Sequence, residues 1–72
     1  MYNNYMTFLS YKIRGDDLSY GEIVWINPYE VSSIVEMDSS RAMICLKDGA
    51  SYLVQESARG VKSDIESVYV TT

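Results

Sequence analysis

Carboxylates are the most abundant reactive groups in this chain, and their spacing limits what they could do. Asp16 and Asp17 with Glu22 could be read as a divalent-cation site. A calcium loop needs about six to eight oxygens delivered at fixed intervals, and the Asp-x-Asp-x-Asp-Gly spacing is missing. This stretch therefore reads as a solvated turn. Asp38, Asp48, Asp64 and Glu66 could supply an acid/base pair, but nothing in their spacing sets two of them across a cleft. Asp48 is better explained by the turn it starts. The chain has no histidine, which removes the usual general base and the nitrogen ligand of most zinc sites. Cys45, the one thiol, lies between Ile44 and Leu46 in a strand-like run, where a small buried hydrophobe is expected rather than a reactive thiolate. No catalytic, cofactor-binding or metal residue is expected, and the chain is read as non-enzymatic.

Aromatic residues are the second resource. Seven tyrosines and a single tryptophan sit in a chain of 72 residues. Tyr2, Tyr5, Tyr11, Tyr20, Trp25 and Tyr29, with Lys12 and Arg14, could stack single-stranded nucleic acid in the manner of a small barrel. That use needs an electrostatic funnel. Residues 1–36 instead carry five acids against those two bases, and the whole chain has a formal charge of −4. Tyrosine and tryptophan are also the residues of protein–protein hot spots. So small a chain has little interior in which to bury them. The expected contact surface is therefore Tyr5, Tyr11, Tyr20, Trp25 and Tyr29, serving a homo-oligomer or another protein. The surrounding acids would set partner choice. A nucleic-acid-binding barrel and an acidic mimic that blocks a host protein are the alternatives.

Length and composition bound the rest. At this length a single core leaves about 3–5 kcal/mol of net stability. An apolar share of 47 % fits a globular domain rather than a disordered tail. No apolar run approaches the roughly 18 residues of a membrane span. One unpaired cysteine leans toward a reducing compartment, and no basic-then-apolar leader opens the chain, so the cytoplasm is expected. One domain over residues 1–72 is expected, with residues 1–5 a loosely held arm.

The elements that would position these residues follow from periodicity. Met6 to Arg14 alternates, with Leu9, Tyr11 and Ile13 on one face, and Gly15-Asp16-Asp17 ends it. Tyr20 to Asn27 holds the unbroken run Ile23-Val24-Trp25-Ile26, expected to be covered on both faces or to turn a barrel corner. Asn27-Pro28-Tyr29-Glu30 reads as a turn with Pro28 at its first helical position. Val31 to Met37 is a third strand, with Val31, Val35 and Met37 on one face and Ile34 opposite. Ala42 to Lys47 is a fourth. The Asp48-Gly49 step then predicts a tight hairpin into Ser51 to Gln55.

From Glu56 onward the period changes. Ala58, Val61, Ile65 and Val68 make one helical stripe, and Ser57 stands as its N-cap. Gly60 costs such a helix about 1 kcal/mol relative to alanine. It would suit a close approach of another backbone. Tyr69 to Thr72 is β-prone and reads as a tail or edge strand. The fold class predicted is α+β, an antiparallel β-meander or small curled barrel of four or five strands with one C-terminal helix.

From Trp25 to Val68 the pattern resembles the FlbD-like family of small flagellar-operon proteins. The matching stretches are Asn27-Pro28-Tyr29-Glu30-Val31 with Ser33-Ile34-Val35-Glu36, then Ile44-Cys45-Leu46-Lys47-Asp48-Gly49, then Tyr52-Leu53-Val54-Gln55-Glu56-Ser57, Val61 and Ile65. Met1 to Asp17 departs from that family, which tends to begin with a compact strand and an Asn-Gly-type hairpin. The resemblance implies a β-rich body with a C-terminal helix and a small binding or regulatory protein, not an enzyme. Short acidic chains of this kind also occur among phage-encoded proteins.

Overall fold

A computed structural model describes residues 8–13 and 22–71, the side chains of 70 and 71 apart. Five strands form one open antiparallel sheet: β1 (Leu9–Ile13), β2 (Glu22–Ile26), β3 (Val31–Asp38), β4 (Arg41–Leu46) and β5 (Ser51–Val54). One helix, α1 (Ala58–Thr71), follows them. The fold class is the α+β arrangement expected from the periodicity.

The sheet order is β2-β1-β5-β4-β3. Three of the four sequential links join neighbours, as in a meander. The fourth, from β2 to β3, runs from one edge of the sheet to the other. A single 3-10 turn, Pro28–Glu30, carries the chain across. The Asn27 side chain accepts from the Tyr29 amide at 3.0 Å, and Pro28 fills the first helical position, where its missing N–H costs nothing. The Lys47 amide donates to the Glu30 carbonyl at 2.8 Å and ties this turn to the end of β4. The sheet is completed by β5 pairing back on β1, at Ile13 opposite Val54.

Strand alternation sorts the side chains. Tyr11, Ile26, Ala42, Ile44 and Val54 point inward and meet Val61 of α1 in the core, with Leu9, Ile13, Ile34, Tyr52 and Ile65 packed around them. The unbroken run in β2 is covered on one face only, which corrects the expectation for it. Val24 and Ile26 face the core, while Ile23 and Trp25 remain 55 % and 65 % exposed. The cause is position: α1 packs on the inner face of the sheet, where Val61 meets Ile26 and Tyr11, and Ile23 and Trp25 point to the other face. In β3, Val31 and Ile34 both pack on the core, although strict alternation sets them opposite. A register shift between Val31 and Ser33 inserts the extra residue that reconciles them.

The hairpin forms at Asp48-Gly49. Gly49 has φ +98°, the left-handed region that glycine enters without a Cβ clash. Asp48 accepts from the Ala50 amide at 2.9 Å.

In α1, Ala58, Val61, Ile65 and Val68 lie on the packed side, and Ser57 Oγ accepts from the Gly60 amide at 3.0 Å. The helix continues through Thr71 rather than breaking at Tyr69. Its last turns are held by packing. Val68 is buried, and the Tyr69 ring stacks on Tyr29 at 5.1 Å between centroids. Tertiary contact here overrides the β propensity of Val70 and Thr71.

Within the chain, the atoms nearest to Gly60 are side-chain atoms. A Cβ there would meet the Glu56 carboxylate and come within 3.1 Å of Ser57 Oγ. The carboxylate is the end of a flexible side chain and can swing away. Gly60→Ala should therefore leave stability unchanged or raise it by up to about 1 kcal/mol. Urea denaturation checks this, and a loss would mean that the Glu56 placement matters.

Candidate functional site

Of the five aromatic positions expected at a contact surface, the three that are described do not come together. Tyr5 and Tyr20 lie outside the described residues, as do Tyr2, Arg14, Asp16 and Asp17. Tyr11 is a core residue, only 8 % exposed, so its place at the surface is corrected. It shares the inward face with Leu9 and Ile13, a parity already visible in the sequence. Tyr29 is half-buried against Tyr69. Trp25 alone stands open on the outer face.

The Tyr11 hydroxyl donates to Asp64 Oδ2 at 2.7 Å, joining residues 53 apart in the chain. Burial, then that hydrogen bond, then the negative charges of Asp64 and Glu56 push the phenol well above its ordinary value of 10.0. A proton held more tightly in the folded state stabilises it below the unfolded value. That contribution is lost as pH rises above about 10. Tyr11→Phe should cost about 1 kcal/mol at neutral pH. It should also flatten the alkaline fall in stability, measured as urea midpoints at pH 7 and above pH 10. An unchanged alkaline slope would mean that Tyr11 does not set it.

The carboxylates considered for acid/base work are each engaged. Asp38 closes the β3–β4 turn. Its Oδ1 accepts from the Ser40 amide at 2.9 Å, and its Oδ2 accepts from Arg41 Nε and Nη2 at 2.8 and 2.6 Å. The Arg41 hydrogen bonds, then the Ser40 amide, hold the carboxyl down to about 2 from 3.8. A depressed value stabilises the fold above the unfolded pKa, and the benefit disappears as pH falls from about 4 toward 2. Asp38→Asn should remove that part of the acid sensitivity, read from midpoints at the two pH values. Equal slopes in both proteins would contradict the assignment. Asp48 caps its turn, Asp64 binds Tyr11, and Glu66 pairs with Lys62 at 2.9 Å on the solvent side of α1. Among the described residues no three His, Cys, Asp or Glu side chains gather as a metal site. Cys45 is half-buried on the outer face of β4, less enclosed than expected.

Two further features stand out among the described residues. A shallow cavity of about 520 Å³ lies between β3 and the start of α1, lined by Ile34, Glu36, Asp38, Arg59 and Lys62. Two of its charges, Asp38 and Lys62, are already paired. The other feature is the outer face of the sheet at β2. Ile23 and Trp25 stand there side by side in alternation, opposite Lys12 and Ser10 of β1. Ile23 was not singled out by the aromatic reading. Its signal was its parity with Trp25 in the apolar run.

No family model, curated protein or solved structure matches the chain. Among the described residues no helix is long and apolar enough to cross a membrane.

Proposed function

We propose that this is a non-enzymatic protein that works by protein–protein contact and associates with itself. One observation carries the reading. Trp25, the sole tryptophan, is 65 % exposed beside Ile23 at 55 % on a strand with one hydrogen-bonded neighbour among the described residues. A large aromatic ring and a β-branched side chain left in water at a sheet edge are what an association surface requires. A symmetric second copy covers both the rings and the edge. The engagement of Asp38, Asp48, Asp64 and Glu66 in turns and pairs supports a non-catalytic role. The resemblance to FlbD-like proteins from Trp25 to Val68 points to the same class, a small binding or regulatory protein. The unpaired Cys45 suits a reducing, cytoplasmic setting. A nucleic-acid platform is less well supported, because Tyr11 is withdrawn into the core and β1–β2 offers one base, Lys12, beside Trp25.

Molar mass by light scattering across a concentration series, at low and high salt, tests the reading. The expected result is a rise from monomer to dimer with protein concentration that persists at high salt, because the surface is apolar. A monomer at every concentration would overturn self-association.

A further inference from the structure

The sheet has two edges, and they are built differently. The edge at β3 is defended. Register shifts interrupt it between Val31 and Ser33 and again between Glu36 and Asp38. Glu36, Ser32 and Ser33 stand along it exposed, as do the apolar Val35 and Met37, and α1 packs beside it. Bulges, charges and a covering element are the devices by which proteins keep edges from pairing. Among the described residues the edge at β2 has neither a bulge nor a covering element. Its five residues, Glu22–Ile26, pair with β1 in an unbroken register, and only Glu22 at its start is charged. An apolar, unbulged edge is the form that accepts another strand.

We infer that two copies of this chain pair antiparallel through β2, with the two-fold axis at Val24, so that each Trp25 lies over the partner's Ile23. This rests on the self-association reading above and gives it a register. Directly opposed residues share a face of the sheet, so only registers that set inward residues against inward residues are allowed. Centring on Val24 pairs all five residues of β2. It makes two aromatic-to-β-branched cross-strand pairs on the outer face. It also sets each Glu22 against the partner's Ile26, which keeps the two acids of an already acidic chain at opposite ends. Centring on Trp25 brings Pro28, which has no N–H, opposite Glu22. Centring on Glu22 opposes two like charges, a destabilising pair.

The area sets the strength. A standard interface buries about 800 Å² per partner. Trp25 and Ile23 offer on the order of 250 Å² of apolar surface, judged from about 150–250 Å² for a whole aromatic side chain. Five residues of backbone edge add to that without reaching the standard size. The dimer therefore belongs with weak, reversible complexes, which dissociate on dilution in the micromolar range.

Single cysteines at positions 23, 24 and 25, each in a Cys45→Ser background, test the register under mild oxidation, alongside light scattering of each protein. Opposed positions lie about 4.5–5.5 Å apart at Cα. That separation is within disulfide reach, whereas more than about 7 Å is not. Val24→Cys should cross-link to itself. Ile23→Cys and Trp25→Cys should cross-link when mixed and not singly. A Trp25→Lys variant should raise the dissociation constant about ten-fold or more with its fold intact. A dimer by scattering in which Val24→Cys stays unlinked would overturn the β2 register and leave self-association standing. A monomer throughout would overturn both.

Discussion

Ile44→Ala should leave much of the chain unfolded at room temperature. Ile44 has no exposed surface and sits in the central part of the sheet, directly between Ile34 of β3 and Tyr52 of β5. Truncating a buried isoleucine costs about 2–5 kcal/mol, from lost transfer energy and from the cavity left behind. A domain of this size has about 3–5 kcal/mol in total. The two magnitudes are comparable, so one substitution consumes most of the stability. No disulfide limits the loss, since Cys45 is the only cysteine. Far-UV circular dichroism with urea titration reads the effect. Ile44→Val, which removes one methylene, should cost only about 0.5–1.5 kcal/mol and keep a cooperative transition. A loss below about 1 kcal/mol for the alanine variant would mean that the core does not turn on this side chain.

Trp25→Lys should have the opposite profile. The side chain is mostly in water and points away from the core residues Val24 and Ile26, so folding loses little. Self-association should be lost at concentrations where the parent chain forms dimers. A lysine at an edge places a hydrated charge where the second strand must dock. The two variants together separate the two layers of the account. Ile44 acts on the fold and reaches the contact only through it. Trp25 acts on the contact alone. If Trp25→Lys unfolds the chain, the tryptophan is a structural residue. If it folds and still associates as the parent does, the contact lies elsewhere.

The local elements were legible because their causes are local. The stripe Ala58, Val61, Ile65 and Val68 has the helical period in the sequence and lies on the packed side of α1. Asp48-Gly49 predicts its hairpin because the left-handed conformation of Gly49 is a property of that residue. The strand order was not legible beyond neighbouring links. The pairing of Ile13 with Val54 depends on how the whole sheet closes on its core, and no periodicity within either segment records it. The same holds for the hydrogen bond from Tyr11 to Asp64, which spans the chain.

The exposure of the residues at the proposed contact was half legible. Counting aromatics singled out Trp25 correctly as an open ring, but it also counted Tyr11, whose parity with Leu9 and Ile13 already placed it inward. Ile23 was missed for the converse reason. It is aliphatic, and the unbroken run around it reads as buried unless one face of β2 is known to be open. The difference between the two edges is invisible in the sequence as well, because the bulges of β3 exist only in its register with β4.

Trp25 is the chain's only tryptophan, so its fluorescence reports from the proposed contact without labels. The most direct measurement is its emission maximum across a protein concentration series. Burial against a partner's Ile23 should move the emission to the blue as concentration rises, in step with molar mass. Emission that stays at its water-exposed position while the chain associates, or at every concentration, would contradict a contact made through β2.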